Sequence, residues 1–93
     1  MAGRAWWRAR YGKEPGGSPA ELDKRAARLS ELGRPAEALP VTEEAVAIRR
    51  ELAAASPARY RPDLARSTRL LASTLESLGR TAEAEAARRT LDT

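Results

Sequence analysis

Apolar residues recur three and four positions apart along most of the chain, which is the spacing of a helix face rather than a strand. The first such stripe is Leu22, Ala26, Leu29 and Leu32, with Asp23, Lys24, Arg28 and Glu31 largely off it. Its start is marked by Ser18-Pro19-Ala20-Glu21: a capping serine, a proline at the first helical position and a glutamate three residues after the cap. A second stripe, Ala38, Val41, Ala45, Ile48 and Leu52, predicts a helix over residues 35–55. Its acids come early (Glu37, Glu43, Glu44) and Arg49 and Arg50 late, the order that opposes the helix macrodipole. Pro40 removes one backbone donor and crowds the carbonyl of Ala36, so a kink or a late start is expected there. Pro57 and Pro62 disfavour helix in the residues before them, which predicts a connection over 56–61 and a third helix from about Pro62-Asp63. Its register is Leu64, Leu71, Leu75 and Leu78, with Ala72 beside it and Thr68 filling the remaining turn. A fourth, shorter helix from Thr81 has Ala84, Ala87 and Leu91 on its face and stops mid-pattern, so it is expected to cap the array or fray.

The stripes are organised around a sentence that the chain writes twice. Residues 29–38 read LSELGRPAEA and residues 75–84 read LESLGRTAEA, with seven of ten positions identical at an offset of 46. Each copy has the makings of a helical corner. Leucines three apart close one helix, Gly33 or Gly79 takes the left-handed conformation that ends it, and Ala-Glu-Ala opens the next with small side chains toward the first. Self-similarity at such a period marks a repeat architecture, whose units bury their apolar faces by stacking.

This doubled corner resembles the tetratricopeptide repeat (TPR). The matching positions are Leu71, Ala72, Leu75, Gly79 and Ala84 in the second unit and Ala26, Leu29, Gly33, Ala38 and Ala45 in the first, with Arg25 standing where a large apolar residue is usual. The extra length over the 34-residue TPR period falls around residues 53–62 and looks like the extended variant of kinesin-light-chain-type repeats; a HEAT-like helical pair, with a period of about 40 to 47, is the alternative. The resemblance implies an all-α fold of two stacked antiparallel helix-turn-helix units, an α-α solenoid with unit one over 18–56 and a truncated unit two over 62–91. It also implies a scaffold that binds a protein or peptide in its groove or at its open ends.

Composition narrows the chemistry. The 93 residues contain no cysteine and no histidine, which removes disulfides, thiolate nucleophiles and the usual general base and metal ligand. Ser30, Thr42, Ser67, Thr68, Ser73, Thr74 and Ser77 therefore have no histidine to activate them. Glu43-Glu44 and Glu83/Glu85 lie in Ala-rich, exposed contexts that would not shift a carboxylate pKa. No Gly-rich phosphate loop is present, because Gly16-Gly17 lacks the spacing and the following Lys-Ser/Thr. No cofactor, no metal and no enzymatic activity are expected. Leu, Ile and Val together number 14 against twenty alanines, so the core must be thin and Ala-rich. Nothing resembles a signal peptide or a membrane span, and the cytoplasm is the expected location.

The net charge of +4 is unevenly placed. Residues 1–17 form a separate basic, aromatic tail: Arg4, Arg8, Arg10 and Lys13 sit among Trp6, Trp7 and Tyr11. From Glu14 onward the chain is balanced, 13 basic residues against 13 acidic. Trp6, Trp7, Arg8 and Arg10 are the candidates for a nucleic-acid or anionic-surface contact, since aromatics with arginines serve both; four cations would bind nucleic acid only weakly, so a nucleic-acid partner is not the expected one. The other readings are a tryptophan covering the open apolar end of the first unit, or a disordered tail. In the repeat body, Lys24, Arg25, Arg28, Arg66 and Arg69 lie off the packing stripes on the first helix of each unit, where they would form a basic groove for an acidic peptide or a carboxylate terminus. The unfinished last helix predicts self-association into a homo-oligomer.

Overall fold

The computed structural model describes residues 18–92. It is all-α: α1 (Pro19–Glu31), α2 (Pro35–Ala55), α3 (Pro57–Ser77) and α4 (Thr81–Arg89), closed by a 3₁₀ turn (Thr90–Asp92). The expected capping box opens α1, with the Glu21 amide donating to Ser18 Oγ and the Ser18 amide to Glu21 Oε1, each at 3.2 Å. These bonds hold the Glu21 carboxyl below the ordinary glutamate value, the Ser18 backbone bond contributing most and the Ser18 side-chain bond next.

Both repeated corners fold as the same Schellman motif. After α1, the Arg34 amide donates to the Leu29 carbonyl (2.8 Å) and the Gly33 amide to that of Ser30 (3.0 Å); after α3, Arg80 donates to Leu75 (2.8 Å) and Gly79 to Glu76 (2.9 Å). The motif needs a left-handed residue after the cap, and Gly33 and Gly79 supply it at φ +73° and +76°. An arginine follows each glycine and forks onto the glutamate three residues on. Arg34 pairs with Glu37 and Arg80 with Glu83, the latter at 2.6 and 2.8 Å. The glutamates thereby sit in the first turn of α2 and α4, where the helix dipole favours a carboxylate.

The prolines are placed otherwise than the sequence suggests. Helix α2 begins at Pro35 and continues through Pro40, so there is no late start. The expected connection over 56–61 is a single residue, Ser56, and α3 runs from Pro57 straight through Pro62. Pro57 occupies the first helical position, where φ is already suitable and no donor is needed. Only Ser56 before it leaves the helical conformation (φ −147°, ψ 79°). Pro40 and Pro62 each deprive the carbonyl four residues earlier of its partner, but these are Ala36 and Ala58, both exposed, as are the two prolines. Water can satisfy those carbonyls, so the cost falls well short of a buried break.

Each helix packs chiefly against its neighbours in sequence, and α1 also touches α3. Alanines make the crossings: Ala26, Ala38, Ala45, Ala72 and Ala84 are fully buried, which lets backbones approach closely around a core with few large side chains. On α2 the expected stripe is displaced. Val41, Ile48 and Leu52 are half-buried, whereas Leu39, Thr42, Val46, Arg49 and Ala53 join Ala38 and Ala45 inside. Helix α2 is clasped by α1 on one side and α3 on the other, so a wide arc is covered instead of one seam. The hydroxyls this buries are satisfied locally: Thr42 Oγ1 donates to the Ala38 carbonyl (3.1 Å), Thr68 to Leu64 (2.8 Å) and Thr74 to Leu70 (2.9 Å).

Candidate functional site

Among the described residues, the one charged side chain that is buried is Arg49, 6% exposed. Its Nη1 donates to the Asp23 carboxylate of α1, to Ser67 Oγ of α3 (2.7 Å) and to the Asp63 backbone carbonyl (3.2 Å). Ser67, itself fully buried, donates in turn to Asp23 Oδ1 and Oδ2, both at 3.1 Å. Asp23 lies early in α1, Arg49 late in α2 and Ser67 midway along α3, so the three can meet only if successive helices run antiparallel. One guanidinium therefore ties three helices together.

Arg49 and Asp23 form part of the wall of an open depression of about 390 Å³ between α1 and α3. Its apolar lining is Ala20, Ala27 and Leu70, and Lys24 and Arg66 are its exposed cations. Of the five basic residues expected to form a groove, the fold brings these two to one depression. Arg25, Arg28 and Arg69 are exposed but do not line it. Arg66 also stands 3.7 Å from Asp63, an exposed pair of little energetic weight. Trp6, Trp7, Arg8 and Arg10 lie outside the described residues.

Arg49 is the residue that sequence reasoning missed. As a late basic residue on α2 it reads as a solvated partner of the helix dipole, and only one signal pointed elsewhere: it falls four residues after Ala45 and seven after Thr42, in line with the buried arc. Burying such a charge is tolerated here because a carboxylate, a hydroxyl and a backbone carbonyl all accept from its Nη1.

The remaining ionic contacts are at the surface. Arg88 of α4 pairs with Glu76 of α3, and its hydrogen bond holds the Glu76 carboxyl low; that from Arg80 does the same for Glu83, against the expectation that an exposed setting leaves its pKa unshifted. The exposed positions of α4 include Glu83, Glu85, Arg88 and Arg89, the last 3.9 Å from Glu85. Among the described residues, no group of three or more acidic side chains gathers as a metal site would require, and no helix is long and apolar enough to cross a membrane. The chain matches no protein-family model, no curated protein and no solved structure.

Proposed function

We propose that the chain is a non-catalytic protein-interaction module of the tetratricopeptide-repeat type, its two hairpins stacked as a short solenoid, and that it takes an acidic peptide in the depression between α1 and α3. The observation that carries this reading is the pairing of Lys24 and Arg66 across a floor of Ala20, Ala27 and Leu70. Two cations flanking an apolar strip suit an extended or helical peptide that presents carboxylates beside a small apolar side chain. The wider surface agrees in sign: exposed positions of α1 and α3 hold seven cations, Arg61 of the opposite face among them, against Glu21, Glu31, Glu76 and the partly exposed Asp63. The Arg49–Asp23–Ser67 junction supports the same reading from below, because it fixes the spacing of the two helices that line the depression and so preorganises it.

A random peptide library displayed on phage and selected against the whole chain tests the proposal. Selected peptides should be enriched in Asp and Glu, and their affinity should fall about tenfold or more in Lys24→Glu/Arg66→Glu, the double charge reversal. Selection without acidic enrichment, or binders indifferent to that variant, would refute it.

A further inference from the structure

The opposite face of the molecule holds a second concavity that the repeat resemblance does not assign. Helices α2 and α4 both pack on α3 but leave a trough between them, made of two depressions of about 300 and 390 Å³ that share Arg50 and Thr90. Its floor is the leucine register of α3. Leu64 and Leu71 remain only half-buried because neither flanking helix closes over them. Ala86 and Ala87 form the α4 wall, and these small side chains keep the trough wide. Along α3 it extends from Arg61 to Leu75, roughly 20 Å at the helical rise. Its ends differ in charge. Glu43 and Glu83 stand at the Leu75 end, where Arg80 forks onto Glu83 and also acts through space on Glu43, leaving one negative charge in excess; Arg50 stands where the two depressions meet and Arg61 at the Pro62 end.

We infer that this trough is the seat of an amphipathic helix from a partner protein, bound with its amino end between Glu43 and Glu83 and its carboxyl end toward Arg50 and Arg61, antiparallel to α3. The length suits about 14 residues, or four turns. The apolar floor takes the helix's leucine or alanine face, and the charged ends fix its direction. A helix dipole is positive at the amino end and negative at the carboxyl end, so only this polarity places each end against its complement. Cations in the partner's first turn and carboxylates in its last strengthen the same choice. This surface shares α3 with the α1/α3 depression but none of its lining residues, and it stands or falls separately from it.

The test uses two fluorescent peptides of about 14 residues, cross-linked between side chains at i and i+4 so that both are helical, with the same Leu/Ala face. One has lysines in the first turn and glutamates in the last; the other has them exchanged. On the whole chain at low salt, the lysine-first peptide should bind about tenfold tighter, with the margin shrinking as salt is raised. The Glu43→Lys/Arg50→Glu variant, altered only at exposed positions, should reverse the preference. Ala86→Trp, which fills the trough from an exposed site, should abolish binding of both peptides. Lys24→Glu/Arg66→Glu should leave the preference intact. Equal affinities, no saturable binding, a preference that survives Glu43→Lys/Arg50→Glu, or one that is lost in Lys24→Glu/Arg66→Glu would each overturn the inference.

Discussion

The two copies of the corner share a backbone and differ in what surrounds it. Gly33 and Gly79 have nearly the same φ, their Schellman bonds agree within about 0.1 Å, and the arginine-glutamate fork is present in both. Yet Leu32 is 62% exposed, while its counterpart Leu78 packs on the cluster of Leu39, Ala72, Leu75 and Ala84. The difference comes from Leu39, which reaches the second corner from α2, the second helix of the preceding hairpin. Among the described residues no such helix lies against the first corner. A repeated sequence thus dictates the turn, and its position in the stack dictates how much that turn stabilises.

The largest predicted effect comes from breaking the link between the copies. Arg49→Met should leave Asp23 without its cation, only the Ser67 hydroxyl remaining, and cost about 3–5 kcal/mol in chemical denaturation. Asp23→Leu added to it should recover much of the loss, because a pair replaced by apolar side chains leaves no charge stranded. If the single and double variants were equally unstable, packing of the arginine stem rather than its charge would be the cause.

Next, Leu78→Ala should destabilise by about 2 kcal/mol through the space it opens. Leu32→Ala, at an exposed position, should stay within about 0.5 kcal/mol. Equal losses would mean that the two corners are covered alike in solution. Gly33→Ala and Gly79→Ala should sharpen the shared half of the comparison. Each added methyl meets open space, with nothing within 4 Å, so the cost of about 1–2 kcal/mol is that of holding a side chain at positive φ, and it should be the same at both corners.

The smallest effect belongs to the surface forks. The Arg80 hydrogen bond lowers the Glu83 pKa, so the fork stabilises the fold above the ordinary glutamate value and its contribution disappears as pH falls through the depressed one. Glu83→Gln should therefore lower the thermal midpoint slightly at neutral pH, with the gap to the parent closing in acid. A gap that persists below the carboxylate range would point to the lost hydrogen-bond geometry instead of the charge.

Local physics was enough for the sequence to settle the capping box at Ser18 and the two glycine corners, because each depends on residues within about five positions of one another. The same reasoning misplaced the start of α3. The bias against helix before Pro62 is a local preference, overridden once the helix has started at Pro57 and the orphaned carbonyl can face water. It also gave Arg49 only a place along the helix dipole, and it put Lys24 and Arg66 in a group with three cations that the fold keeps out of their depression. Arg49 meets Asp23, Ser67 and the Asp63 carbonyl across 26, 18 and 14 residues of chain, and Leu64 and Leu71 are left half-covered only by the distance between α2 and α4. Such facts belong to the way rigid helices sit against each other, and no stretch short enough to read as a motif contains them.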